Sequence, residues 1–145
     1  MSNPLRMQKF AHVLHKGGFT RTARAVSRVL RLVFAAHLPP EAQIGEGTEL
    51  GYGGIGVIVH KDAVIGRNCL LSPGVVIGGR SGHEGVPVIE DEVLIGVGAK
   101  ILGPIRIGAG AKIGANAVVL RDVAPGDTVA GVPARSLRSS KQKSA

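Results

Sequence analysis

No tryptophan occurs among the 145 residues, and aromatic side chains make up only 3% of them. An interior built on aromatic rings is therefore excluded, and Ile, Val, Leu and Ala must fill a narrow space. A single cysteine, Cys69, excludes an internal disulfide framework and a cysteine-based zinc site; it is read as a small buried apolar side chain in a reducing compartment. No apolar run approaches the roughly 20 residues of a membrane span, and the N-terminus lacks a signal-peptide stretch. A soluble cytoplasmic protein is expected. Acidic residues are also missing locally. Residues 1–37 hold seven Lys and Arg and no Asp or Glu, residues 135–145 hold four more basic side chains, and residues 38–134 hold seven basic against ten acidic. The net charge of +8 thus sits at the two ends. Basic ends suit nucleic acid, an anionic membrane surface or a phosphorylated ligand. With no stacking aromatics and no nucleic-acid motif, no nucleic-acid partner is expected, and membrane-surface association is the weaker alternative to a phosphorylated ligand.

What is present is aliphatic and glycine-rich: 44% of residues are hydrophobic and 22 are glycine, enough for one domain with a core. The segment "NPLRMQKFAHVLHKGGFTRTARAVSRVLRLVFAAHLPP" predicts two helices, near 4–16 and 20–36. Asn3 is a plausible cap and Pro4 suits a first helical position; Gly17 and Gly18 break the run, and Pro39 and Pro40 end it. In the second helix Ala23, Val26, Leu30 and Val33 recur at helical spacing, while Arg21, Arg24, Arg28 and Arg31 form a separate stripe. That stripe is either a solvated face or a site for an anion or partner.

From Ile44 onward a period of six governs the chain. Steps of six from residue 65 give Ile65, Leu71, Ile77, His83, Ile89, Ile95, Ile101, Ile107, Ile113 and Val119, nine of ten aliphatic. Glycine often follows (Gly66, Gly78, Gly96, Gly108, Gly114), and the position four along is small or β-branched: Cys69, Val75, Val93, Ala99, Ala111, Ala117. This is the hexapeptide repeat of a parallel β-helix, in which each hexad supplies one short strand and one corner and three hexads close a triangular coil. The glycines are expected to permit corner conformations that a β-carbon disfavours. The open strand edges at the ends need covering, and the helices are expected to cover one of them. The chain divides into a helical segment 1–38, a β-helix 39–135 and a basic tail 136–145. The period falters between Leu50 and Ile65, which lie 15 apart, and at His83 within "GGRSGHEGVP". Loops that leave a rigid scaffold tend to carry function, so the site is sought there.

The segments "VVIGGRSG", "PVIEDEVLIGVGAKILGPIRIGAGAKIGANAVVLRDV" and "AGVPAR", with "GVIVHKDAVIG", closely resemble the serine acetyltransferase group of hexapeptide-repeat acyltransferases over residues 37–138. The resemblance implies a left-handed β-helix, a homotrimer, and acetyl-CoA in the groove between neighbouring prisms, with no metal. It implies that Gly96, Val97, Gly98, Ala99, Gly114 and Ala115 line the pantetheine groove with backbone, and that Lys112 and Arg135 meet CoA phosphates. Corner geometry alone also accounts for the small residues, and a solvated corner accounts for Lys112. In this family a histidine base deprotonates an acceptor hydroxyl that attacks the thioester.

Aligned without a gap, Tyr52 stands where the family has that histidine and His37 where it has the aspartate that orients it. A phenol is a weak general base near neutral pH. A second family histidine is matched by Val86, with His83 three residues earlier in a shorter loop. The candidates for catalysis are therefore His83, His37, Tyr52 and His60; each histidine also has a plain structural alternative, as a loop, helix-end or corner residue. Two functions follow: an acetyl-CoA-dependent O-acetyltransferase acting on serine or the hydroxyl of a sugar or other small metabolite, or a trimeric binding scaffold that has lost the chemistry. The long N-terminal helical domain of the family is reduced here to about 40 residues, so no dimer of trimers is expected. The tail lacks the terminal isoleucine with which the family docks into cysteine synthase, so no such complex is expected.

Overall fold

The computed structural model describes residues 4–138. Asn3, expected as a cap, and residues 139–145 of the basic tail lie outside the described residues. Helix α1 (Pro4–Lys16) begins at the proline, and α2 (Thr20–Phe34) runs back antiparallel after the Gly17–Gly18 turn. Both then give way to four triangular coils. The first coil is β1 (Gln43–Ile44), β2 (Glu49–Leu50) and β3 (Ile58–Val59); the second is β4 (Val64–Ile65), β5 (Leu70–Leu71) and β6 (Val76–Gly78). The third is β7 (Val88–Ile89), β8 (Leu94–Ile95) and β9 (Lys100–Leu102), and the fourth is β10 (Arg106–Ile107), β11 (Lys112–Ile113) and β12 (Val118–Val119). Strand β13 (Thr128–Ala130) extends the second face, where β14 (Arg135–Ser136) pairs antiparallel with it and ends the stack.

Stacking is in register and parallel along all three faces. The first face orders β1-β4-β7-β10, the second β2-β5-β8-β11-β13-β14, and the third β3-β6-β9-β12. Residues of like hexad position therefore lie above one another: Ile65 pairs Ile89, Leu71 pairs Ile95, and Ile77 pairs Ile101. These aliphatics form three buried columns, and the small residues four along (Cys69, Val75, Val93, Ala99, Ala111, Ala117) are buried beside them. Where Thr48 takes such a place, its hydroxyl donates to Gly66 O (2.8 Å) and accepts from Cys69 N (3.1 Å), so a buried polar group is satisfied.

The glycines after the strands serve a different purpose from the one expected. Gly66 and Gly96 are not in the left-handed region; a Cβ on Gly66 would stand 2.7 Å from Asp91 N, and one on Gly96 would stand 2.7 Å from Ala115 N. Close approach of the next coil, rather than corner conformation, excludes a side chain there. Positive φ occurs two residues later, at Asn68, Gly98, Gly110 and Asn116.

The helices close the N-terminal end of the prism. Leu5 and Leu30 join the core with Ala36, Leu38 and Ala42. Gln8, itself buried, donates from Nε2 to Pro39 O (3.1 Å) and Ala42 O (3.0 Å), and His12 Nδ1 lies 2.7 Å from Pro40 O. The first coil's carbonyls thereby find partners where the strand stack ends.

Acidic side chains tie adjacent corners. Glu90 accepts from Arg106 Nε (2.5 Å) and from Ala109 N (2.8 Å), and these bonds, the arginine foremost, hold its carboxyl below the usual range. A carboxylate with a lowered folded pKa stabilises above its unfolded value and loses that contribution as pH falls through the folded value. We expect Glu90→Gln to unfold more readily than wild type at neutral pH, with the difference shrinking on acidification below the ordinary value of 4.5. Denaturant titrations at several pH values measure this; a difference that grows on acidification would contradict it.

Candidate functional site

Both interruptions of the period are excursions at corners. Between β2 and β3 a 3₁₀ turn, Gly51–Gly54, lengthens the corner, and Tyr52 (φ 50°), Gly53 and Gly54 all take left-handed conformations within it. Tyr52 points outward, 87% exposed, and makes no side-chain hydrogen bond to His37. Between β6 and β7 the chain takes one extra hexad. Arg80 and His83 bridge to each other across Ser81–Gly82, forming a tight exposed hairpin.

The third face gathers two of the histidines. His37 lies in front of β3 as a further strand residue: it bridges Ile58, its N–H donates to Val57 O (2.8 Å), and its carbonyl accepts from Val59 N (2.9 Å). Leu38 beside it is buried. Alternation then turns the exposed His37 side chain to the outside of the face. His60 follows β3 at the corner to the first face, and its N–H donates to Ile77 O (2.8 Å). His37 and His60 line one pocket of about 430 Å³ with Pro39, Ile58, Val76 and Gly78. Neither Tyr52 nor His83 lines it.

Hydrogen bonds set the ring tautomers. His60 Nδ1 stands 3.2 Å from Asp62 N, from which it accepts, and 3.8 Å from Asp62 Oδ2; in the neutral ring the first contact leaves the proton on Nε2 and makes that atom a donor. Asp62 in turn is held below the usual carboxylate range chiefly by its hydrogen bond from Lys61 Nζ. His83 is the reverse case. Its Nδ1 stands 3.1 Å from Ser81 O, an atom that can only accept, so Nδ1 carries the proton and Nε2 keeps its lone pair. Of the two rings, His83 has the tautomer of a base and His60 that of a donor.

The small residues named for the pantetheine groove form a single corner column between the second and third faces. Gly98 N donates to Pro73 O (2.9 Å) and Asn116 N to Val97 O (2.8 Å), so the Gly96–Ala99 turn and the Gly114–Ala117 turn stack directly. Lys112 is exposed on the second face between Leu94 and Thr128. Arg135 lies elsewhere, in a pocket of about 160 Å³ with Arg80, Arg121, Leu120, Pro133 and Ala134. Neither Arg80 nor Arg121 carries a motif that marks it in the sequence, although each follows a third-face strand within three residues and so reaches the same corner. A third pocket, about 330 Å³, is lined by Arg24, Ser27, Arg28 and Arg31 of α2 with His37. No helix among the described residues is long and apolar enough to cross a membrane.

A model for the bacterial transferase hexapeptide, six repeats, matches residues 87–121. The chain is 41% identical over 129 residues to the serine acetyltransferase of Bacillus licheniformis, covering 88% of this chain and 59% of that protein. It is 38% identical over 131 residues to the serine acetyltransferase of Helicobacter pylori, covering 89% of this chain and 76% of that protein. Among solved structures, a serine acetyltransferase from Brucella abortus in complex with coenzyme A superposes with a TM-score of 0.86 at 38% identity, over 92% of this chain and 54% of that one. The chain thus spans between about half and three quarters of the length of these relatives. With identity of this degree, a repeat match in the third and fourth coils and the same stacked-coil scaffold, the chain belongs to the serine acetyltransferase family.

Proposed function

We propose that the protein is an acetyl-CoA-dependent O-acetyltransferase that works as a homotrimer, with its site assembled between neighbouring prisms. The observation that carries this reading is the third face, which has histidines at one end and an arginine cluster at the other. His60 and Arg121 follow strands of that face three spacings apart, about 14 Å at the usual separation of about 4.8 Å between strands. Arg80, Arg121 and Arg135 supply guanidinium groups for CoA phosphates at the far end, where fork-shaped donors bind best. The corner turns Gly96–Ala99 and Gly114–Ala115 offer backbone close to the surface for a pantetheine arm.

The chemistry then divides between two rings. His83 Nε2 takes the proton of the acceptor hydroxyl as its oxygen attacks the thioester carbonyl carbon. Negative charge develops on the carbonyl oxygen, where the Nε2–H of His60 is a suitable donor. The C–S bond then breaks, the imidazolium of His83 returns its proton to the departing sulfur, and an O-acetyl ester and free CoA remain. Tyr52, exposed at the lengthened corner, positions the acceptor and moves no proton. Because His83 stands on an extruded hairpin outside the pocket of its own chain, it serves the pocket of a neighbour.

Acetyl-CoA turnover against serine and a panel of sugars tests the reading. CoA thiol should appear only when an acceptor is present, and the Arg121→Ala variant should raise the KM for acetyl-CoA by roughly tenfold or more, as for a charged hydrogen bond. Absence of CoA binding by calorimetry at millimolar ligand would sink the proposal, and so would sedimentation as a monomer at micromolar concentration.

A further inference from the structure

Helix α2 carries Arg24, Ser27, Arg28 and Arg31 at spacings of three and four, so the four side chains share one flank of the helix. Together with His37 they line the pocket of about 330 Å³. Among the described residues none of these three arginines makes a salt bridge or a side-chain hydrogen bond, and no acidic residue occurs in the first 37 positions. Ser27 adds a second sign of a missing partner, because its Oγ is buried without any hydrogen bond. His37 is shared: it also lines the pocket of about 430 Å³ that contains His60. The arginine pocket and the histidine pocket are therefore adjoining compartments with His37 between them. Each alone is within the size range of sites that bind small organic molecules.

We infer that the acceptor is a hydroxylated molecule bearing a remote anionic group, a phosphate or carboxylate on a sugar-sized body, whose anion sits on Arg24, Arg28 and Arg31 while its hydroxyl passes His37 into the His60 compartment. Guanidinium forks match both anions bidentately, and three unpaired ones on a single flank favour a group with several oxygens. This assignment rests on the acetyl-transfer reading for its hydroxyl end, but the anion end can be measured without turnover.

Binding of glucose 6-phosphate, galacturonate and uncharged glucose to the full chain is measured by calorimetry, and acetyl transfer to the same three and to serine is measured in parallel. The two anionic probes should bind and glucose should not. Arg28→Gln should weaken the better probe by roughly tenfold or more, the loss expected for a charged hydrogen bond, and should raise the KM for that acceptor while leaving the KM for acetyl-CoA unchanged. The relative response to glucose 6-phosphate and galacturonate tells phosphate from carboxylate. If anionic probes bind and Arg28→Gln abolishes that binding while no acceptor is acetylated, the anion pocket stands and the acetyltransferase reading falls. Three results overturn the inference: neither anionic probe binds; Arg28→Gln raises the KM for acetyl-CoA instead; or Arg28→Gln leaves probe binding intact and removes sedimentation with phosphatidylglycerol vesicles, which would make the flank a membrane contact.

Discussion

Co-expressed His83→Ala and His60→Ala chains should recover roughly a quarter of wild-type turnover, although His83→Ala alone falls by roughly 10² to 10⁴, the usual contribution of a positioned base, and His60→Ala alone by roughly 10² to 10³, the usual loss of an oxyanion donor. The expectation follows from closed threefold symmetry. If each site takes His60 from one prism and His83 from the next, a random mixture gives about one site in four with both rings intact. If both rings came from one chain, every site in the mixture would lack one of them and activity would stay at the level of the single variants. That outcome would overturn the shared site while leaving acetyl transfer itself untouched. Tyr52→Phe should cost less than either histidine change, since the phenol moves no proton in this scheme.

The largest loss of stability is expected from Ile101→Ala. Ile101 is fully buried in the third-face column, in register with Ile77 before it and Val119 after it. A triangular coil has little room to collapse onto a cavity, because each strand is held at both sides by its neighbours in the stack. Removal of the side chain should therefore cost about 2–5 kcal/mol, the range for large-to-alanine changes in cores. For a chain of this size that corresponds to roughly 5–15 °C in Tm. Denaturant unfolding at one fixed protein concentration measures it, because the proposed trimer would make apparent stability depend on concentration. A loss below about 1 kcal/mol would mean that the aliphatic columns are not the source of the stability.

The scaffold was legible because the hexad rule is local. Whether residue 95 or 101 points inward depends only on its place in the six, and stacking repeats that choice coil after coil, so the inward aliphatic and small residues could be assigned directly. Even the N-terminal limit of the rule was present: Leu38 stands six residues before Ile44 and is buried like the other column residues, although Pro39 and Pro40 obscured it. Register next to that leucine is what brings His37 to β3 and, through β3, to the pocket of His60.

Three things were decided only in the tertiary structure. The glycines after strands look like corner formers in sequence, yet the distance to the following coil is what excludes a side chain at Gly66 and Gly96. The arginines of α2 read as a stripe on a helix of unknown orientation; only the docking of that helix on the prism turns Arg24, Arg28 and Arg31 toward His37. The chemical difference between His60 and His83 is invisible in their identities, because it depends on whether Nδ1 meets a backbone N–H, as at Asp62, or a carbonyl, as at Ser81. Sequence period determined where side chains point, since that follows from each strand's own alternation. Contacts between segments far apart in the chain decided which of those side chains share a pocket, and hydrogen bonds local to each turn decided which ring nitrogen carries a proton.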